Sequence, residues 1–258
     1  MEVDILEEKG KKMKFLLKDS KPQFANALRR TMIGKVPTMA VEEVDFINNT
    51  SGLFDEIIAH RIGMIPWSFP EDEYRTREKC ECESEEGCPN CTVEMVLKKE
   101  REAFVKAKHI KPTDKKVEPE NPGILIIKLL DGQELELEAK GVLGTGKEHA
   151  KFQAASASYK FLPEIKINGE EVDNIEEVAS VAPEKVKDAE GVIEADEDIV
   201  YAMNKTVDIE EGDEIEYTED DNSFIFTVES VSGLEPRYIV KEAVRIIKEE
   251  AEELENAL

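Results

Sequence analysis

The chain predicts an α+β protein with more than one lobe, and three observations carry that expectation. With 40% hydrophobic and 36% charged residues over 258 positions, it can bury one large core or several small ones, and it is too apolar to stay disordered. Short alternating segments bounded by turn residues recur along much of its length. Three further stretches show helical spacing instead.

The first alternating segment is Lys12 to Lys18, KMKFLLK, read as a short strand. A helix follows: Ser20 with Gln23 forms a capping box, Pro22 sits in the first turn where its missing N–H is harmless, and Gly34 supplies the stop. Within it Phe24, Leu28 and Met32 fall at i, i+4 and i+8, and Arg29 and Arg30 lie beside that apolar stripe. Ala40 to Ile47 is strand-like. It leads to LFDEIIAHRIGMIPW, where Leu53, Phe54, Ile57, Ile58 and Ile62 have helical spacing and Gly63 and Pro66 end the element. By composition its Asp55, Glu56, His60 and Arg61 read as a solvated face.

Thr92 to Leu97 and Phe104 to Ala107 read as strands, and GILIIKLLDGQELELEAKG as a hairpin about Asp131-Gly132, a dipeptide that tolerates positive φ. Gly141, Gly144 and Gly146 do not make a phosphate loop, because no strand–loop–helix unit and no Lys-Ser/Thr ending accompany them. Pro163 to Gly212 is acidic and poor in aromatics, which suggests a separate small lobe. The last segment, YIVKEAVRIIKEEAEELENAL, sets Val240, Val244, Ile247, Ala251, Leu254 and Leu258 on one helical seam that Ile239, Ala243 and Ile246 widen. A stripe that wide can place one edge on the home sheet and offer the other to a partner helix.

Charge and composition exclude several classes of function. The formal charge of −25, from 59 acidic and 34 basic residues, repels a phosphate backbone and argues against independent nucleic-acid binding. The Glu- and Lys-rich composition suits a solvated surface, and heat-adapted proteins share it. The longest apolar runs, such as Ile124 to Ile127, are far shorter than the roughly 20 residues a bilayer span needs, and the N-terminus lacks a secretion signal's order, so the expected location is cytoplasmic with no membrane association. Histidines number three, His60, His109 and His149, and none stands in a catalytic array. No pair of carboxylates is singled out for acid–base work.

All four cysteines lie in CECESEEGCPNC, residues 80 to 91. The spacing of Cys80, Cys82, Cys88 and Cys91 includes a C-x-x-C half that lets two thiolates reach one ion, and four thiolates close a tetrahedral shell with no open position, so one Zn2+ here would be structural. Disulfides or free thiols are the alternative on spacing alone. The neighbouring Glu81, Glu83, Glu85 and Glu86 raise thiol pKa values and oppose a reactive cysteine.

Five strings then stand in one order: FANALRRTMIGKVPTMAVEEVDF, LFDEIIAHRIGMIPW, the cysteine segment, GTGKEHAKFQAA and YIVKEAVRIIKEEAEEL. In this the chain resembles, over nearly its whole length, the D subunit family of archaeal DNA-directed RNA polymerase, itself similar to the third-largest subunit of eukaryotic RNA polymerase II and to the amino-terminal domain of bacterial α. The resemblance implies a discontinuous α/β dimerisation domain (1–40, a return strand at 153–164 and the tail 213–258), an inserted mainly β domain (41–152) with the cysteine knuckle, and a small ferredoxin-like lobe (165–212).

It further implies a non-catalytic assembly platform that heterodimerises with the L subunit and docks the N and P subunits and the large catalytic subunits. Phe24, Leu28 and Met32 with Val240, Val244, Ile247, Ala251 and Leu254 would form the dimer interface. Arg29 and Arg30, Asp55, Glu56, His60 and Arg61, and Lys147, Glu148 and His149 would be docking or domain-folding residues. Some relatives hold an iron–sulfur cluster in the small lobe; here that stretch has no cysteine, so no cluster is expected. A zinc-knuckle regulatory or interaction module is the second reading.

Overall fold

The computed structural model describes residues 1–82, 84, 86–167, 192–194 and 215–258. The expected ferredoxin-like lobe, 165–212, lies almost wholly outside the described residues. In chain order the elements are β1 (Glu2–Lys9), β2 (Lys12–Lys18), α1 (Pro22–Gly34), β3 (Thr38–Asn49), α2 (Asp55–Gly63), β4 (Trp67–Ser68), β5 (Thr92–Glu100), β6 (Ala103–Lys106), β7 (Lys111–Pro112), β8 (Glu118–Pro119), β9 (Leu125–Leu129), β10 (Glu134–Gly144), β11 (Ala155–Ile167), β12 (Val192–Glu194), β13 (Ile215–Ser230) and α3 (Pro236–Ala257). This is a mixed α and β protein, mostly antiparallel strands with few helices. One sheet has the order β1-β2-β13-β11-β12, a second β3-β10-β5-β7, and β4-β8 and β6-β9 form two small ribbons.

The chain divides into two compact units. One comprises Met1–Glu8, Lys14–Asn26 and Ser158–Thr227, and the other Lys9–Met13, Ala27–Ala157 and Val228–Leu258. The second unit thus holds the terminal helix together with residues 9–13, 27–40 and most of those expected as an insert. These boundaries follow contacts within the chain alone.

In the first unit, alternation along the strands covers both faces of the sheet. Phe15 stacks on Phe226 with ring centroids 4.9 Å apart, and Tyr159 meets Phe224 edge-on at 5.5 Å. Their neighbours Leu16 and Ile225 pack with Leu162 in a separate cluster, as period-2 geometry requires. β1 was not foreseen: all eight of its residues are exposed, so it carries no core signal. The predicted capping box does not form. The Ser20 N–H donates to the Asn222 carbonyl at 2.8 Å, its hydroxyl is buried without a partner, and the first helical N–H groups, of Phe24 and Ala25, go to the Lys21 carbonyl. Pairing with the β13 region thus moves the cap one residue on.

The second unit is built on the β3-β10-β5 sheet, whose centre pairs Leu137 with Phe46 on one side and Leu97 on the other. Met39, Val41, Met95, Leu97, Leu135 and Leu137 line a core closed by Ile58 and Ile62 of α2 and by Trp67. The Asp131-Gly132 turn forms, with Gly132 at φ +76 and the Gln133 N–H on the Leu130 carbonyl at 3.1 Å. The hairpin does not, because β9 pairs with β6 while β10 runs between β3 and β5. The glycines after it serve packing: a Cβ on Gly144 would lie 2.7 Å from the Phe152 ring, and one on Gly146 would lie 2.3 Å from the Ile33 carbonyl oxygen.

Candidate metal centre and docking surface

The four thiols, all among the described residues, converge. Their sulfurs lie within 4.8 Å of one another, with Cys80 to Cys88 at 3.6 Å, Cys82 to Cys91 at 3.7 Å and Cys88 to Cys91 at 3.8 Å. A tetrahedral zinc with metal–sulfur bonds of about 2.3 Å needs sulfur–sulfur edges of about 3.8 Å. The four are free thiols at metal-ligand spacing, so the donor set and its geometry fit one tetrahedral thiophilic ion.

Local sequence builds the cage. The Cys91 and Thr92 N–H groups both reach the Cys88 carbonyl at 2.9 Å, folding Cys88-Pro-Asn-Cys91 into a turn, and the Cys88 N–H points at the Cys91 sulfur at 3.3 Å. Gly87 enters that turn at φ +90, where a Cβ would fall 2.1 Å from the Thr92 hydroxyl. Only glycine suits both constraints. The Arg75 N–H to Asn90 carbonyl bond, 2.9 Å, ties the turn to the preceding segment.

Protons are unevenly held in the cage. Hydrogen bonds with Cys80 and Cys91 push the Cys82 thiol up to about 12. Burial alone would raise Cys91, but the Cys88 N–H and the Thr92 hydroxyl stabilise its thiolate and bring it down to about 7. A bound cation would displace the remaining protons.

The expected docking strings also meet, around residues 145–151. The Lys147 N–H binds the Gly34 carbonyl at the end of α1, 2.9 Å. Glu148 accepts from the Thr145 hydroxyl at 2.8 Å, and His149 Nδ1 accepts from the Lys151 N–H at 3.0 Å. Lys151, which sequence reasoning passed over, is the joint of this region: its ammonium donates to the Val41 carbonyl at 2.9 Å and pairs with Glu42, and its side chain lies beside Gly63 at the end of α2. The signal was available, since it is the last lysine of KEHAK. All three residues expected in this string, Lys147, Glu148 and His149, are exposed.

On α2, Asp55 and Glu56 occupy the first turn and His60 and Arg61 the last, the arrangement the helix dipole favours. Asp55 also accepts from Asn49 at 2.7 Å, and Arg61 donates to the Ile126 carbonyl at 2.7 Å. All four are exposed, as are Phe54 at 80% and Ile57 at 46%. Arg30 is exposed and Arg29 half-buried with a partner of its own.

The two apolar stripes have different fates. Leu28 and Met32, expected at a partner interface, are 2% and 0% exposed and are spent on the chain's own core, while Phe24 stays half-buried. On α3, Ile239 and Ala243 are buried, Val240 and Ile247 are half-buried, and Val244, Ala251 and Leu254 are open. The buried Glu242 is neutralised on its own helix by Arg245, whose Nε donates to it at 2.8 Å.

Residues 44–164 match the family described as the RNA polymerase Rpb3/RpoA insert domain. The chain is also similar to the DNA-directed RNA polymerase subunit Rpo3 of Archaeoglobus fulgidus, 37% identical with 98% of this chain and 96% of that one covered. The same subunit of Pyrococcus furiosus is 37% identical (98% and 95% covered), and that of Thermococcus kodakarensis 36% identical (100% and 98%).

Proposed function

Since the chain belongs to the archaeal Rpo3 family of DNA-directed RNA polymerase subunits, we propose that it acts in that nucleotidyltransferase complex as a non-catalytic assembly platform. The observation that carries this reading is the α3 seam. A 22-residue helix buries one apolar row at home and leaves Val244, Ala251 and Leu254 of the adjacent row open, with Val240 and Ile247 half-covered. An apolar row of that length on a helix asks for a second apolar surface.

The L subunit is the partner proposed for that seam. The surface where α1, α2 and the 145–151 segment meet would receive the large catalytic subunits through Arg30, Asp55, Glu56, His60, Arg61, Lys147, Glu148 and His149. The N and P subunits would join the resulting pair. The four thiols would hold one Zn2+, which would act as a structural clip because four protein ligands leave no position for substrate. The alternative of a zinc-knuckle regulatory module is not favoured, because the likeness to Rpo3 runs over 98% of the chain and not over the knuckle alone.

Co-expression with the L subunit, followed by native mass and metal analysis of the purified product, tests both halves. A one-to-one heterodimer with about one zinc per pair is the expected result. A stable lone monomer without affinity for L overturns the platform. A metal-free heterodimer overturns only the clip.

A further inference from the structure

One surface region runs against the charge of the rest of the chain. The protein carries a formal −25, yet residues 98–116 hold eight lysines and arginines and three acids. Those acids are already engaged: Glu100 with Lys98 at 3.9 Å, Glu102 with Lys128 at 3.7 Å, and Asp114 with the Tyr74 hydroxyl at 2.6 Å and the Lys116 N–H at 2.9 Å. Lys98 and Lys116 are further matched by Glu136 and Glu73. Lys99, Lys106, Lys108 and Lys111 form no ion pair with any described residue.

The fold draws Lys106, Lys108 and Lys111 together on one turn. The Lys106 N–H donates to His109 Nδ1 at 3.0 Å, closing the turn that holds Lys108, and the Lys111 ammonium reaches the Lys108 carbonyl at 3.0 Å. The β5–β7 register sets Lys111 opposite Val96 of β5, and Lys99, three positions further along that strand, alternates to the other face. His109, half-buried among them, is held below the usual imidazole range, first by burial and then by the fields of Lys99, Lys108, Lys111 and Lys106. Four cations thus bear on one ring, and among the described residues none of the four is ion-paired.

We propose that the turn carrying Lys106, Lys108 and Lys111, together with Lys99 of the neighbouring strand β5, is a docking site for a short acidic segment of a protein partner. Charge reach decides between this and a nucleic acid. Screening confines the field to about 8 Å at physiological ionic strength, so a short peptide meets only the local patch. A longer phosphate backbone extends past it and meets the acidic remainder of the surface. The patch is separate from the α3 seam, so the proposal does not depend on the L subunit.

Fluorescence anisotropy of the full-length chain with a labelled oligo-glutamate peptide at low salt tests it. Replacing all four lysines (Lys99→Gln, Lys106→Gln, Lys108→Gln, Lys111→Gln) should weaken binding by about tenfold or more, from the loss of several exposed charge contacts. Their replacement by arginine should retain it, which separates lost charge from lost folding. Removing the same charge from lysines paired elsewhere, Lys12 with Glu229 and Lys35, Lys79 and Lys248 with acids of α3 (Lys12→Gln, Lys35→Gln, Lys79→Gln, Lys248→Gln), should change binding less than about twofold, as expected for charges outside the patch that are screened by salt. Absence of peptide binding, equal weakening by the control set, or equally tight binding of a single-stranded oligonucleotide would each overturn the proposal.

Discussion

The stripe Phe24, Leu28, Met32 on α1 and the seam Val240, Val244, Ile247, Ala251, Leu254 on α3 look alike as patterns and fare oppositely in the fold. Leu28 and Met32 are at 2% and 0% exposure, whereas Val244 and Leu254 stand at 44% and 63%. Periodicity reports that a helix face is apolar; it is silent on what covers it. In α1 the covering is supplied by this chain, and in α3 only the Ile239 and Ala243 edge is. A stability experiment on the chain and an assembly experiment with a partner should therefore rank the two helices in reverse order.

The largest effect on the chain itself is expected from Met32→Ala, which opens a cavity at a fully buried site and should cost about 2–5 kcal/mol in denaturant unfolding. A loss under about 0.5 kcal/mol, the range of ordinary surface changes, would mean that α1 is not the closed member of the pair. Next comes Gly146→Ala, whose methyl would sit 2.3 Å from the Ile33 carbonyl oxygen where α1 ends. Forcing those backbones apart should cost about 1–3 kcal/mol, read as a lowered unfolding midpoint.

A smaller loss, about 1–2 kcal/mol, is expected for Thr38→Val, because the buried Thr38 hydroxyl donates to the Phe152 carbonyl at 2.9 Å. Equal stability of this variant would show that water replaces the hydroxyl. Smallest in unfolding should be Leu254→Ser, within about 0.5 kcal/mol of the parent. The same substitution should weaken the proposed heterodimer at least severalfold, a change in binding that Met32→Ala should produce only by unfolding the chain. If Leu254→Ser leaves the heterodimer intact, the open seam faces something else.

Legibility in the sequence followed the range of the interaction. The clustering of the cysteines was readable because the four thiols span twelve positions and a C-x-x-C turn leaves little geometric choice. The terminal seam was readable down to its two edges. Ser20 misled because its N–H is claimed by Asn222, a partner some two hundred positions away that no local rule contains. Asp131-Gly132 made its turn, but strand pairing is settled by which neighbours cover β9 and β10, and those come from β6, β3 and β5. The strings expected to dock could be picked out one by one, while their meeting through Lys151 and Gly63 needed the folded backbone.

The long-range closures also set a timetable for synthesis. The Gly34 carbonyl waits for the Lys147 N–H, and the Lys11 carbonyl waits for the Ser230 N–H. The Lys11 ammonium finds the Leu234 carbonyl 223 positions later. Synthesis must therefore pass residue 234 before this unit can close, leaving its early apolar strands unsheltered meanwhile. The seam on α3 follows directly on these closing residues, so it is synthesised only as the rest of the unit becomes able to fold.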